Sequence, residues 1–243
     1  MKLALMQPYF FPYVGYFSLI KHCDRFVLFD TVQYIRGGWI ERNRVLKTGE
    51  GWRYVSVPVE RESMHTLINQ AHIRHDPDWK DQIFRYLEHY KKKSPYYREV
   101  MALLDNTLDT SERSIARLNE RSLRATCEYL GIQRDIQAFS KTGITINEPQ
   151  KPGDWGLSVC RAVGANEYVN TYGAIELFDP EKYRAAGVPI LFLKNNLKRY
   201  DQGRDTFEPG LSIIDVLMFN DPKAANELID DYVTSATGVF PQG

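Results

Sequence analysis

The stretch LMQPYFFPYVGYFSLI, residues 5–20, decides how the rest of the chain is interpreted. An apolar run leads into it, so Lys2–Met6 is predicted to be a short buried strand. Pro8 and Pro12 then interrupt regular backbone hydrogen bonding. Apolar residues return at helical spacing over Val14–His22. The stretch therefore predicts a strand, an aromatic loop and a helix, in that order.

A second apolar run, Arg25–Asp30, follows this helix and predicts an α/β fold. A strand, a helix and a strand in so short a segment are typical of a parallel, right-handed βαβ unit. Further on, Ile40–Leu46 and Trp52–Val57 have the alternating pattern of paired strands. We therefore expect an open, mostly parallel sheet with a β-hairpin excursion.

Helical periodicity dominates from Asp78 to Leu130, which predicts an inserted helical lobe at about residues 77–131. Lys91–Lys93 fit the cationic end of its first helix, with contact to a phosphate as the alternative. Beyond the lobe, the pattern predicts extended segments at Ile136–Phe139, Ile144–Ile146 and Val188–Leu193, helices at Asp154–Val163, Pro180–Ala186 and Leu211–Phe219, and a frayed tail after Tyr232. We expect all 243 residues to form a single domain.

Composition and charge exclude some functional classes. The 31 basic and 31 acidic residues cancel, so no chain-wide field favours nucleic acid, and we expect no nucleic-acid partner. The three cysteines lack CxxC spacing, which is typical of reduced thiols in the cytoplasm. The early prolines argue against an export signal, and no apolar run has the length of a membrane span.

A small group of histidines invites a metal interpretation. His72 and His75 would share one side of a helix, but they would lie on opposite faces of a strand. Neither arrangement brings an obvious third ligand, so we predict solvated polar residues and no metal site.

Three segments together resemble the WbqC-like family of bacterial proteins. They are the opening stretch, Phe29–Arg44 and Phe207–Met218, with Tyr172–Phe178 as a looser match. The segments follow the family's order over nearly the whole chain. Members of this family often accompany genes for surface polysaccharide such as O-antigen. The resemblance implies transfer of a glycyl or other acyl group to an amino sugar, and it names no catalytic residue.

A second likeness is to the HIGH superfamily of nucleotidyl-transferring and adenylate-forming enzymes. These carry His-x-Gly-His after the first strand, where this chain has Tyr13–Tyr16. In that superfamily the glycine lets a base or ribose lie against the backbone, and the histidines face phosphates. Tyrosine can donate a hydrogen bond but brings no charge. The likeness supports the fold more than the chemistry, and it implies ATP and Mg²⁺ as candidate cofactors.

The candidate site residues gather after the first two predicted strands, because open α/β sheets bind ligands at the carboxyl ends of their strands. Aromatic faces suit a base or sugar ring, and arginine suits phosphate or carboxylate. Asp30 is the candidate catalytic residue, as a base toward an amine or as a Mg²⁺ ligand, with a simple strand end as the alternative. The predicted binding residues are Gln7, Tyr9, Tyr13, Gly15, Tyr16, Gln33, Tyr34, Arg36, Trp39, Arg42, Asn43 and Arg44.

No activated nucleophile is visible, since Ser18 and Ser158 lack a recognisable histidine partner. We therefore expect an enzyme that joins an acyl or aminoacyl group to an amino sugar on a nucleotide, with activation by ATP. The alternative is a non-catalytic module that binds a nucleotide-sugar. Either way the partner is a small molecule, a nucleotide-sugar or an amino acid, and a homodimer is compatible with both. Both readings require the aromatic loop and the arginines after residue 35 to converge on one polar-lined hollow.

Overall fold

The computed structural model of the chain describes residues 1–61, 63–146 and 151–240. The strands of its main sheet are β1 (Lys2–Met6), β2 (Arg25–Leu28), β5 (Asp135–Ala138), β6 (Glu167–Thr171), β7 (Ile190–Asn195) and β8 (Tyr232–Ser235). Two further strands, β3 (Arg42–Leu46) and β4 (Trp52–Ser56), form a separate antiparallel hairpin. The main sheet has the order β5-β2-β1-β6-β7-β8, and all its pairings are parallel except that of β7 with β8. The predicted α/β fold with a mostly parallel sheet and a hairpin is confirmed.

The α-helices that the described residues form are α1 (Val14–His22), α2 (Trp79–Leu87), α3 (Tyr97–Thr107), α4 (Ile115–Tyr129), α5 (Trp155–Val163), α6 (Pro180–Ala185), α7 (Ile213–Phe219) and α8 (Pro222–Asp230). Helices α2 to α4 lie between β4 and β5 in the chain, in the segment predicted to be helical. Helix α4 begins after Ser114, whose hydroxyl accepts a hydrogen bond from the Arg117 backbone N–H. This bond satisfies one of the backbone N–H groups that lack a partner within the first turn of the helix.

The alternation of side chains along β1 divides the core into two layers. Ala4 faces the larger layer, which contains α1, the hairpin and helices α2 to α4. Leu3 and Leu5 face the smaller layer, together with residues of α5 and α6. Strands that are covered on both faces in this way are apolar throughout, as parallel strands usually are.

The end of the chain differs from the prediction. The tail after Tyr232 was expected to be frayed, which is wrong, because Tyr232–Ser235 pairs with β7. Helix α8 was not predicted, although Asp221 accepts a hydrogen bond from the Ala224 N–H at 2.7 Å and Pro222 occupies the first turn. The segment Ile144–Ile146, predicted to be extended, forms no strand, and Ile144 and Ile146 pack as partly buried side chains on the smaller layer.

The order of the strands reverses direction at β1. The chain adds β2 and β5 on one side of β1, and then returns to add β6 and β7 on the other. This reversal makes the carboxyl ends of β1 and β6, after Met6 and Thr171, the topological switch point at which such sheets bind ligands. No helix in the described residues has the length and apolar character needed to cross a membrane.

All three cysteines lie in the interior. Cys23, Cys127 and Cys160 are buried and form no disulfide. Burial raises the pKa of Cys127 and of Cys160 to about 12, and it raises the pKa of Cys23 further. Thiols this far from ionisation are poor nucleophiles, so none of them has the character of a catalytic cysteine.

Candidate functional site

The aromatic loop, residues 7–13, leaves β1 at the switch point, and buried side-chain amides hold its carbonyl groups. The Nδ2 of Asn43 donates to the Phe10 carbonyl at 3.1 Å and to the Phe11 carbonyl at 3.0 Å. The Nδ2 of Asn119 donates to the Pro8 carbonyl at 2.8 Å. Because both amides are buried, each of these bonds is costly to lose. The loop is therefore fixed to the hairpin and to α4.

The same loop contains a strained residue. Phe11 has a φ of +38°, in a region that non-glycine residues rarely occupy. Its carbonyl also accepts a hydrogen bond at 2.7 Å from the hydroxyl of Ser212, which caps α7. The Ile213 N–H donates to the Pro12 carbonyl at 2.9 Å. Strain of this kind persists only where the surroundings hold it, so the segment around Ser212 fixes the shape of the loop.

The tyrosines that follow have different roles. Tyr16 is fully buried, and its hydroxyl donates to the Gln7 carbonyl at 2.7 Å. Gly15 is covered by the ring of Tyr13, since a Cβ on Gly15 would lie 2.5 Å from its Cε2. Tyr16 is therefore a core residue, and Gly15 makes room for a neighbouring ring. That ring occupies the place that the HIGH-superfamily likeness assigns to a base or ribose.

One side of the loop borders a hollow of about 230 Å³, which we call the aromatic hollow. It is lined by Tyr9, Pro12, Tyr13, Trp39, Asn43, Arg44, Leu197 and Gly210. The Nη2 of Arg44 donates to the Gly210 carbonyl at 3.0 Å, and its guanidinium carbon lies 5.6 Å from the centre of the Trp39 ring. The structure thus brings five of the predicted site residues together: three aromatic rings, the Asn43 amide and the Arg44 guanidinium group.

The same loop borders a second pocket, of about 320 Å³, which we call the carboxylate pocket. It is lined by Pro8, Leu28, Asp30, Asn69, His72, Arg113, Ser114, Ala116, Arg117, Glu120, Ala138, Ser140 and Lys141. Asp30 is buried there, just beyond β2. Its Oδ1 accepts from the Ser140 N–H at 2.9 Å and its Oδ2 from the Ser140 hydroxyl at 2.5 Å. Asp30 therefore ties the carboxyl end of β2 to that of β5.

The cations of the carboxylate pocket have carboxylate partners. Arg117 pairs with Glu112 at 2.8 Å, and Lys141 pairs with Glu120 at 2.8 Å. Burial favours the neutral form of Glu120, but hydrogen bonds from Lys141 and Arg124 outweigh it and lower the pKa of Glu120. The pocket is thus close to neutral, which suits the hydroxyl and amine groups of a sugar better than a free polyphosphate.

Asn69 adds an open hydrogen-bonding group to this pocket. Its backbone N–H donates to the Asp30 carbonyl at 2.8 Å, while its side-chain Oδ1 is shielded from water and has no hydrogen-bond partner among the described residues. A buried acceptor without a donor is costly, so a ligand that donates a hydrogen bond would be stabilised here. No local pattern indicates Asn69, Arg113 or Lys141 as site residues, because the fold alone brings them into the pocket with Asp30.

Two predicted residues lie where the chain enters the hairpin. Gln33 is exposed, and its Nε2 donates to the Met64 carbonyl at 2.5 Å. Tyr34 is buried, and its hydroxyl donates to the Glu41 carboxylate. Neither residue lines the aromatic hollow or the carboxylate pocket. Both fix the course of the chain before the hairpin.

The two remaining arginines also lie outside both pockets. Arg36 is exposed, and its Nη2 donates to the Val59 carbonyl at 3.2 Å. The guanidinium carbon of Arg42 lies 4.0 Å above the centre of the Tyr54 ring on the neighbouring strand. Of the three predicted arginines, the structure therefore brings Arg44 alone to the aromatic loop.

Comparison with known proteins identifies the family of the chain. The model of the WbqC-like protein family matches residues 7–227, which begin at the first residue of the aromatic loop and end within α8. The chain belongs to the WbqC-like protein family. One WbqC-like relative is the "Uncharacterized protein Rv1507c" of Mycobacterium tuberculosis (strain ATCC 25618 / H37Rv), which is 28% identical over 222 residues, covering 90% of this chain and 93% of the relative. No solved structure matches the chain significantly.

Proposed function

We propose that this WbqC-like protein is a cytoplasmic transferase of surface-polysaccharide biosynthesis, which attaches an acyl or aminoacyl group, such as glycyl, to the amine of a nucleotide-linked amino sugar. One observation carries the proposal: two pockets of different chemistry meet adjacent residues of the fixed loop that follows β1. Pro8 lines the carboxylate pocket, and Tyr9 lines the aromatic hollow. In the proposal, a single ligand with a ring at one end and polar groups at the other occupies both.

The aromatic hollow suits the base or sugar ring of the nucleotide. Tyr9, Tyr13 and Trp39 offer faces for stacking, and the guanidinium group of Arg44 beside them suits a negatively charged phosphate. The carboxylate pocket would hold the amino sugar, with the Oδ1 of Asn69 accepting from a hydroxyl or amine.

Asp30 is then the proposed base. In the reaction, the amine nitrogen attacks the carbonyl carbon of an activated acyl donor. A C–N bond forms, the bond to the leaving group breaks, and a proton from the nitrogen passes to the Asp30 carboxylate. The hydrogen bonds from Ser140 hold that carboxylate in place. Position rather than a covalent intermediate would supply the rate enhancement.

The described residues do not fit a preformed Mg²⁺ site. No group of three metal-ligating side chains occurs among them. Both oxygens of Asp30 accept hydrogen bonds from Ser140, and Glu120 is paired with Lys141. No step of the proposal passes through a metal. ATP enters it only as the source of an activated acyl donor, an adenylate among the candidates.

The second candidate function is a binding module without catalysis. The observation that favours it is the engagement of both Asp30 oxygens by Ser140, because a carboxylate that only joins β2 to β5 needs no free lone pair aimed at a substrate. Such a module would bind a nucleotide-sugar and present it to a neighbouring enzyme.

Mass spectrometry of reaction mixtures separates the two functions. The protein is incubated with UDP- and dTDP-linked amino sugars, glycine, ATP and Mg²⁺, and the nucleotide-sugars are examined for a glycyl adduct. Transferase activity predicts an adduct that D30N does not form and that D205N, a change at an exposed aspartate, still forms. Thermal stabilisation by a nucleotide-sugar without any adduct would favour the binding module. Neither adduct nor stabilisation across the panel would refute both.

A further inference from the structure

A third pocket, of about 540 Å³, lies away from the two described above and shares no lining residue with them. Its walls come from the end of the hairpin at Lys47, from the 3₁₀ turn Glu88–Lys92 that follows α2, and from the loop at Arg204. We call it the basic pocket. The proposed transfer reaction makes no use of it.

The basic pocket has an excess of positive charge. Lys47, Lys91 and Lys92 are exposed at its rim, and none of the three has an ion-pair partner among the described residues. Lys93 lines it as well, and Glu88 is the carboxylate on its wall. Cations gathered without partners repel one another, so an anion bound among them would be stabilised.

Arg204 provides a buried guanidinium group in the same pocket. Its side chain is 10% exposed, and its Nη1 donates to the carbonyls of Gly49 and Gly51 at 3.1 Å each. Its Nη2 is shielded from water and has no hydrogen-bond partner among the described residues. It forms an ion pair with Oε1 of Glu208 at 3.8 Å, which is too long for a hydrogen bond. This fixed donor is therefore available to an oxygen acceptor.

His89 presents a second polar atom without a partner. Its Nδ1 lies 2.9 Å from the Tyr86 carbonyl, which requires the proton to be on Nδ1. Its Nε2 is shielded from water and has no hydrogen-bond partner in the part of the chain that the structure describes. The neutral ring thus offers a lone pair at Nε2, and only the protonated ring can donate from that atom to an anion.

We propose that the basic pocket binds a small organic phosphate. Arg204 and His89 would donate to the phosphate oxygens, Lys47 and Lys92 would neutralise its charge from the rim, and the organic part would lie against Leu46 and Phe219. The volume suits a ligand of metabolite size. Guanidinium and imidazolium donors beside ammonium groups are a phosphate-binding combination.

Phosphate binding at this site takes up a proton. Burial lowers the pKa of His89. The positive charges of Arg53, Lys93 and Arg204 lower this pKa further, and the hydrogen bond to the Tyr86 carbonyl opposes them in part. The ring also packs on Tyr90, and Glu88 precedes it in the chain. Without an anion the ring is therefore neutral near pH 7, and a bound dianion reverses the local field and favours the imidazolium form.

Calorimetric titration with sulfate isolates the contribution of the charge on His89, because sulfate keeps both its negative charges over the pH range used. We expect wild-type protein to bind sulfate more tightly at about pH 6 than at about pH 8, and H89Q to lose this dependence. K47A/K92A should weaken binding about tenfold. R161A/K223A removes the same amount of charge at exposed positions outside the pocket and should change the affinity for sulfate less than about twofold.

A second probe tests the organic part of the ligand. Phenyl phosphate should bind more tightly than inorganic phosphate, because its ring can cover Leu46 and Phe219. The proposal is overturned if wild-type protein binds neither sulfate nor phosphate, if K47A/K92A and R161A/K223A weaken binding equally, or if H89Q retains the full dependence on pH. These variants alter exposed or partly buried side chains, and their circular dichroism spectra check that they fold.

Discussion

Replacing Asp215 with asparagine should remove a pH-dependent loss of stability that this carboxyl group imposes on the fold. Asp215 is fully buried at the start of α7 and accepts hydrogen bonds from the hydroxyls of Tyr90 and Tyr200, each at 2.5 Å. The Nε2 of Gln202 lies 3.2 Å from the same carboxylate. Burial raises the pKa of Asp215 from 3.8 to about 6, although the hydrogen bonds from Tyr200, Tyr90 and Gln202 act against it.

The size of the effect follows from the difference in proton affinity. The folded protein holds the proton more tightly than the unfolded chain, so the stabilisation is complete below about pH 4 and is lost as the pH rises through about 6. Raising the pKa of Asp215 from 3.8 to about 6 corresponds to a total of about 3 kcal/mol, because a tenfold change in proton affinity is about 1.4 kcal/mol. Between about pH 4.5 and about pH 7.5, the part that can be measured is about 2 kcal/mol.

Urea denaturation of wild-type protein and of D215N at these two pH values tests the prediction. In D215N the side-chain amide loses one of the hydrogen bonds that the carboxylate accepts from Tyr90 and Tyr200. This loss lowers the free energy of unfolding of the variant equally at both pH values. The difference between the two proteins should therefore shift by about 2 kcal/mol in favour of wild type at the lower pH. D205N, at an exposed position, controls for general charge effects. A difference that is the same at both pH values would refute the assignment of a raised pKa to Asp215.

Two further predictions concern the aromatic loop, and a third concerns a close backbone contact elsewhere in the fold. N43A should lower the free energy of unfolding by about 2 kcal/mol, because the buried Phe10 and Phe11 carbonyls lose their donor; urea titration that shows no change would contradict this. G15A should displace the ring of Tyr13 and weaken nucleotide-sugar binding, measured by thermal shift, and equal shifts for variant and wild type would count against the aromatic hollow as a ligand site. G153A should destabilise the protein by about 3 kcal/mol or more, because the new Cβ would lie 1.9 Å from the Leu177 carbonyl oxygen. G173A, where nothing lies within 4 Å, is its control, and equal melting temperatures for the two would contradict the contact.

Local patterns were sufficient for much of the fold. Lys2–Met6 and Val14–His22 form the strand and the helix that the apolar spacing predicts. The second strand ends at Leu28 rather than at Asp30, because the Asp30 N–H turns back to the Leu28 carbonyl at 3.0 Å. Strand β8 could not be predicted from spacing, because its residues become a strand only by pairing with β7.

The site was less accessible to sequence reasoning. Tyr9, Tyr13, Trp39, Asn43 and Arg44 do meet, because the loop and the hairpin are joined through buried amides. Tyr16 is buried in the core whereas Tyr13 lines the aromatic hollow, and no local pattern distinguishes the two. Asp30 meets Ser140 across more than a hundred residues of chain, so its partners depend on the pairing of β2 with β5.

The buried cysteines have a practical consequence. Since Cys23, Cys127 and Cys160 are inaccessible and resist ionisation, alkylating reagents should leave the native chain unmodified. A cysteine introduced by T48C, at an exposed position on the rim of the basic pocket, would then accept a fluorophore at one defined place. Ligand entry could be followed optically without first replacing any natural thiol.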